Sequence, residues 1–192
     1  EQKALYPLEP LDYTLEEEQS GHVILDSDAL IHFLALCPYG VEKYSYYFNH
    51  FPVLSLNLGI METTEKVVEL ILLIRSENEI NLKLLVNEVE TLASLFGLSV
   101  TPSDEYYGWS YDPDSQLRKS YKEAYKKAYD KELKEVPTHG GLETGYMSRI
   151  FPDMDIVTMG PNCIDIHTPQ ERLEIKTLYE VHDFLKNWLG EL

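Results

Sequence analysis

Residues 54–97 read LSLNLGIMETTEKVVELILLIRSENEINLKLLVNEVETLASLFG, and this stretch decides the fold. Leu54, Leu56, Leu58 and Ile60 alternate with Ser55, Asn57 and Gly59. Successive side chains on a strand point to opposite faces, so the alternation predicts a half-buried strand with one polar side. The run 67–74 is nearly continuously apolar and β-prone, which predicts a buried strand ending at Arg75 and Ser76. Leu82, Leu85, Val86, Val89, Leu92, Ala93 and Phe96 then fall on one helix face, and Gly97 stands where a C-terminal cap belongs. Two strands and a helix with one apolar face make an α+β layer.

Upstream, residues 1–25 are acidic, contain Pro7 and Pro10, and read as a strand-poor opening segment. Asp26 or Ser27 is placed to cap a short helix through Leu36, which Pro38 stops. Downstream, residues 101–114 are rich in Pro, Asp, Gly and Tyr and read as a linker. An α+β domain over 1–100 and an α/β unit over 115–192 are expected on either side. The second unit reads as a helix near 115–132, a short strand ending at His139, a glycine turn opening a helix over 142–150, a strand over 155–159 and a loop over 160–170. Thr177 and Glu180 have capping-box spacing at the start of a last helix that ends before Gly190. Strands alternating with helices point to an α/β layer.

Composition narrows the function classes. The 192 residues carry 16 basic and 33 acidic side chains, a formal charge of −17, which repels nucleic acid and anionic membranes. Basic residues gather over 118–134, but Glu123, Asp130 and Glu132 interleave with them, and Leu117, Tyr121, Ala124, Tyr125 and Ala128 repeat at helical spacing. That is an amphipathic helix with a solvated charged face. Cys37 and Cys163 lie far apart without CxxC spacing, so a reducing, cytoplasmic setting is expected. No apolar run reaches the ~18 residues of a membrane span, and no signal peptide is visible. The sequence starts with Glu1 and reads as a piece of something longer.

Two segments are placed for chemistry: HGGLETG at 139–145 and GPNCIDIHTPQER at 160–172. The first sets a histidine at a strand end before a glycine turn and a helix N-terminus, where ligands gather in open α/β sheets and N–H groups can hold an anion. The second sets His167 in a polar loop, where neutral imidazole is a common metal ligand. Each also reads as ordinary structure, a surface histidine or a tight turn. HExxH, GxxxxGK[ST] and GxSxG are all absent.

HGGLETG, FPDMDIVTMGP and IHTPQERLEI, together with CPYGV, LSLNLGI and LLIRSENE upstream, follow one another in a single order. In that order, over residues 30–192, the chain resembles the aminoacyl-histidine dipeptidases, in the carnosinase and aminoacylase superfamily of dinuclear zinc peptidases. It departs from their pattern at Gly140 and Thr144, where a small residue and a cysteine are expected, and at Asp165, where a basic residue is usual. The resemblance implies the later part of a lid domain of the dimerisation type, followed by the C-terminal α/β part of a catalytic domain. It implies His167 as the terminal zinc ligand, and Leu142, Glu143 and the Gly140–Gly141 turn as substrate-pocket lining, with His139 a further pocket residue. Arg75 would grip the peptide's C-terminal carboxylate from the lid, a task suited to guanidinium, although a strand-end surface arginine reads equally well. Asn57 would face substrate from the polar side of its strand. The bridging aspartate, the other zinc ligands and the general-base glutamate of such enzymes come from the N-terminal part of their chains. The resemblance thus implies an Xaa-His dipeptide substrate, two zinc ions in a longer parent, a homodimer through the lid, and no activity in this piece alone. The rival expectation is a non-catalytic interaction module on the same fold.

Overall fold

The computed structural model describes Thr14, residues 27–103 and residues 107–191. The opening segment and the cap at Asp26 therefore lie outside the described residues. The order is α1 (Ser27–Leu36), β1 (Gly40–Tyr44), β2 (Pro52–Thr63), β3 (Val68–Ser76), α2 (Glu79–Leu95), α3 (Gln116–Tyr129), α4 (Thr144–Ile150), β4 (Cys163–Ile164), β5 (Arg172–Leu173) and α5 (Ile175–Leu189). This is a mixed α/β chain, as its patterning predicts.

β1, β2 and β3 form an antiparallel sheet in that order. Leu54 and Leu56 of β2 bury one face against Phe33 of α1 and Leu85, Val89 and Ala93 of α2. Leu70, Leu72 and Ile74 of β3 pack on the same core. The apolar stripe of α2 thus finds the sheet the pattern required, and its first turn is capped by Asn78, whose side chain accepts the Asn81 N–H at 2.9 Å. Gly97, at φ +71°, takes the left-handed conformation that ends the helix.

Two details of the sheet differ from the pattern. β3 is not buried on both faces: its exposure alternates along its length, and Ile71 and Leu73 are about half exposed. The cause is layering, since α1 and α2 cover one side of the sheet only. Ile60 does not continue the stripe of Leu54, Leu56 and Leu58. The β2–β3 register shifts between Leu58 and Ile60, and Ile60 comes to pair with Ile71. A bulge of one residue at Gly59 moves every following side chain to the opposite face.

The second half packs α3 on α5 through aromatic rings. Tyr121 lies 5.3 Å from Phe184 and 5.1 Å from Trp188 between ring centroids. The Trp188 indole N–H donates to Ser120 Oγ at 3.0 Å. The expected strands ending at His139 and over 155–159 are absent among the described residues, where both segments run without a ladder partner. A strand exists only as a hydrogen-bonded pair, and β propensity alone cannot supply the neighbour. Among the described residues of this half, the only sheet is the short β4–β5 hairpin inside the expected loop and just after it. α4 starts at Thr144, two residues later than expected, and α5 at Ile175, two residues before the expected cap. Thr177 therefore sits inside the first turn, where its hydroxyl donates to the Glu174 carbonyl at 2.8 Å.

Candidate functional site

β2 and β3 present a polar pair on the face away from the core. Ser55 and Arg75 lie directly opposite each other in the register. The segment that follows α3 brings His139 onto that pair. Ser55 Oγ is 2.7 Å from His139 Nε2, and Arg75 Nη1 donates to the His139 carbonyl at 3.1 Å. Phe51 closes the third side, its ring edge-on to the imidazole at 6.2 Å. Burial first, and then the Arg75 charge, hold the His139 pKa below the ordinary histidine value, so the ring is neutral near pH 7.

The arm carrying His139 is anchored at Glu135. Tyr111 Oη donates to Glu135 Oε2 at 2.9 Å, Lys122 pairs with the other oxygen, and Arg118 Nε lies 3.5 Å away. Burial alone would raise the Glu135 pKa, but hydrogen bonds from Lys122 and Tyr111 and the charges of Lys122 and Arg118 bring it below the usual range. Arg118 also stacks over the Tyr111 ring at 4.3 Å. Asp155 ties a further segment to the start of α3 by accepting the Leu117 N–H at 2.8 Å.

These elements bound an open cleft of about 1610 Å³. Arg75, His139, Gly140, Gly141 and His167 all line it. Leu142, Glu143 and Asn57 are not among its lining residues. Glu143 instead stands at the N-terminus of α4, and Asn57 is exposed opposite Leu73 on the sheet. Ser55, Tyr111, Arg118, Glu135 and Asp155 are site-forming residues that sequence reasoning missed. The signal for Ser55 was the strand alternation itself, which puts it on the polar face with Asn57.

His167 is exposed, at φ +66°, in the turn between β4 and β5. Its N–H donates to Glu171 Oε2 at 3.0 Å, and Asp165 pairs with Arg172 at 3.0 Å. A catalytic zinc takes three protein ligands. Among the described residues, no three histidine, cysteine or carboxylate side chains gather closely enough to hold a metal ion. The donor set here therefore does not fit a resident zinc by itself. No helix of the described residues is long and apolar enough to cross a membrane.

Comparison with known proteins agrees on one relationship. A sequence model of peptidase family M20/M25/M40 matches residues 13–191. The cytosol non-specific dipeptidase of Escherichia coli (strain K12) is 27% identical over 179 residues, which are 93% of this chain and 37% of that protein. The crystal structure of aminoacylhistidine dipeptidase from Vibrio alginolyticus superposes with a TM-score of 0.86 at 28% identity, covering 100% of this chain and 40% of that one. The chain thus spans about two fifths of the length of these relatives.

Proposed function

The chain belongs to peptidase family M20/M25/M40, and on that premise we propose that it is the C-terminal part of a cytoplasmic, zinc-dependent dipeptidase that hydrolyses Xaa-His dipeptides. The observation that carries the reading is the cleft, whose wall joins Arg75 and His139 to the Gly140–Gly141 turn and His167. Arg75 suits the substrate's C-terminal carboxylate, because guanidinium offers a two-pronged donor set that a lysine lacks. Neutral His139 stands next to Arg75 on the carboxylate side of the pocket, and the glycine turn that follows it lines the rest. His167 supplies one imidazole to a dinuclear zinc site whose other ligands lie outside this chain. Zinc bound there would supply an activated water. Residues 1–100 act as the later part of a lid, 101–114 as a linker, and 115–192 as the end of the catalytic domain. Leu142 and Glu143 support the pocket from behind the turn, and Asn57 contacts substrate only in a conformation that brings it to the cleft.

A second reading, an interaction module, is favoured by one observation. Ile60, Ile71 and Leu73 leave an apolar patch on the open side of the sheet, each about half exposed. On the first reading the same patch serves a homodimer formed through the lid.

The test is a dipeptidase assay of the full-length protein on Ala-His with and without chelator, run beside the 192-residue chain. Chelator-sensitive hydrolysis is expected from the full-length protein and none from the chain. Robust chelator-sensitive turnover by the chain alone, or no turnover by the full-length protein, would overturn the assignment.

A further inference from the structure

The contact between Ser55 and His139 has a direction. Nε2 of His139 has Ser55 Oγ as its partner at 2.7 Å, and Nδ1 has no hydrogen-bond partner among the described residues. A neutral imidazole carries one proton, on either nitrogen, and the partner of one nitrogen decides which. If Nε2 carried it, the Ser55 hydroxyl proton would have no acceptor among the described residues, where Ser55 Oγ has no other partner. If Nδ1 carries it, Ser55 donates to Nε2, the hydroxyl proton and Nε2 are both partnered, and the ring keeps one unused donor. Half-buried polar groups favour the arrangement that leaves fewer of them unmade.

The placement reinforces this. Ser55 and Arg75 face each other across β2 and β3, so His139 is held by its ring from one strand and by its carbonyl from the other. Two adjacent positions of a rigid sheet therefore fix both the location and the rotation of one imidazole in the cleft wall. The guanidinium beside it attracts an anionic oxygen to the same place.

We propose that Ser55 is a positioning residue whose hydroxyl holds His139 as the Nδ1–H tautomer, leaving a ring N–H, on the residue whose carbonyl Arg75 grips, to donate to a carboxylate oxygen of the ligand. This rests on the reading of His139 as a substrate-pocket residue. Ser55 touches no ligand itself and acts through the orientation of the ring, as outer partners of functional histidines do.

The experiment uses the full-length protein labelled with ¹⁵N at histidine, and Ser55→Ala, Ser55→Thr and His139→Gln variants. Long-range ¹H–¹⁵N spectra identify the His139 ring by its loss in His139→Gln. The expected wild-type ring shows a protonated Nδ1 and a bare Nε2. Ser55→Ala converts it to an exchanging mixture and raises KM for Ala-His about tenfold, with kcat within about twofold, as expected for a lost hydrogen bond that orients a binding group. Ser55→Thr, which keeps a hydroxyl and suits a strand, restores both. A wild-type ring protonated on Nε2, or a ring and KM unmoved by Ser55→Ala, would overturn the proposal. A ring that changes tautomer in Ser55→Ala while KM is unmoved there and in His139→Gln would overturn the substrate role of His139, and the carboxylate assignment with it.

Discussion

Gly145 turns its bare Cα onto the carbonyl of Tyr107: a Cβ there would lie 1.7 Å from that oxygen. Gly108, the next residue, is pressed in the same way against the Ser76 carbonyl, at 2.1 Å from its own missing Cβ. Tyr107 and Gly108, within the expected linker, are thus wedged between the end of β3 and the start of α4, backbone against backbone. Gly145→Ala is expected to cost roughly 2–4 kcal/mol, because neither wall is a flexible side chain that can yield. Gly160→Ala is the control, since a Cβ there meets nothing within 4 Å. Urea midpoints of the two variants check this, and equal midpoints would show that the wedge can open.

Asp155 gives a pH prediction. Burial would raise its pKa, yet hydrogen bonds from Ser115 and from the Leu117 and Gln116 N–H groups, with the Arg118 charge, bring it below the ordinary aspartate value. A carboxyl lowered on folding binds fewer protons than in the unfolded chain, so its stabilisation is present at neutral pH. It fades as pH falls below the unfolded value of about 3.9 and through the folded one. Asp155→Ala should therefore cost about 1 kcal/mol at pH 7, like the loss of a helix cap, and the deficit against wild type should shrink below about pH 4. A deficit independent of pH would assign the effect to packing instead.

Metal content tests the roles proposed for the two histidines of the cleft. In the full-length protein, His167→Ala should lower bound zinc and activity together, with activity down more than about 100-fold, since even partners outside the ligand shell cost about 10–100-fold. His139→Ala should lower activity while metal stays near wild type. Elemental analysis of the purified proteins decides it, and the reverse pattern would exchange the two roles.

Association through the open sheet face is tested at Ile71, which is 48% exposed and pairs with Ile60. Ile71→Lys should leave folding intact, because the residue points away from the core, and should weaken a homodimer about tenfold or more by placing a charge in an apolar contact. Light scattering across a dilution series measures it. A dimer unaffected by the change would place the interface elsewhere.

Much of the first half was legible because its signals are periodic and local. The stripe of α2 found Leu54 and Leu56 as the alternation of β2 required, and Gly97 ended the helix where it stood in the sequence. Ile60 departs from the stripe because a bulge is a property of two strands together, invisible in the alternation of one. The extended segments at 155–159 and before His139 have strand composition without a neighbouring strand, so their propensity had nothing to pair with. The cleft was legible at Arg75, His139, Gly141 and His167, which motif order singled out. Glu135 stayed hidden, because its meaning lies in Tyr111 and Lys122 meeting it across 24 and 13 residues of sequence. Asn57 shared a face with Ser55, but a face does not say which end of a strand meets a cleft.

The backbone at His167, with φ +66°, is a conformation that suits glycine, and a branched or aromatic side chain held there raises the energy of the folded chain by roughly 1 kcal/mol. Asp165, two residues earlier, sits in the same region at φ +54°. On the role proposed for His167, the turn holds an imidazole at a fixed point against that strain; His167→Gly relieves the strain but loosens the unfolded chain, so it should melt close to the native protein while holding less zinc.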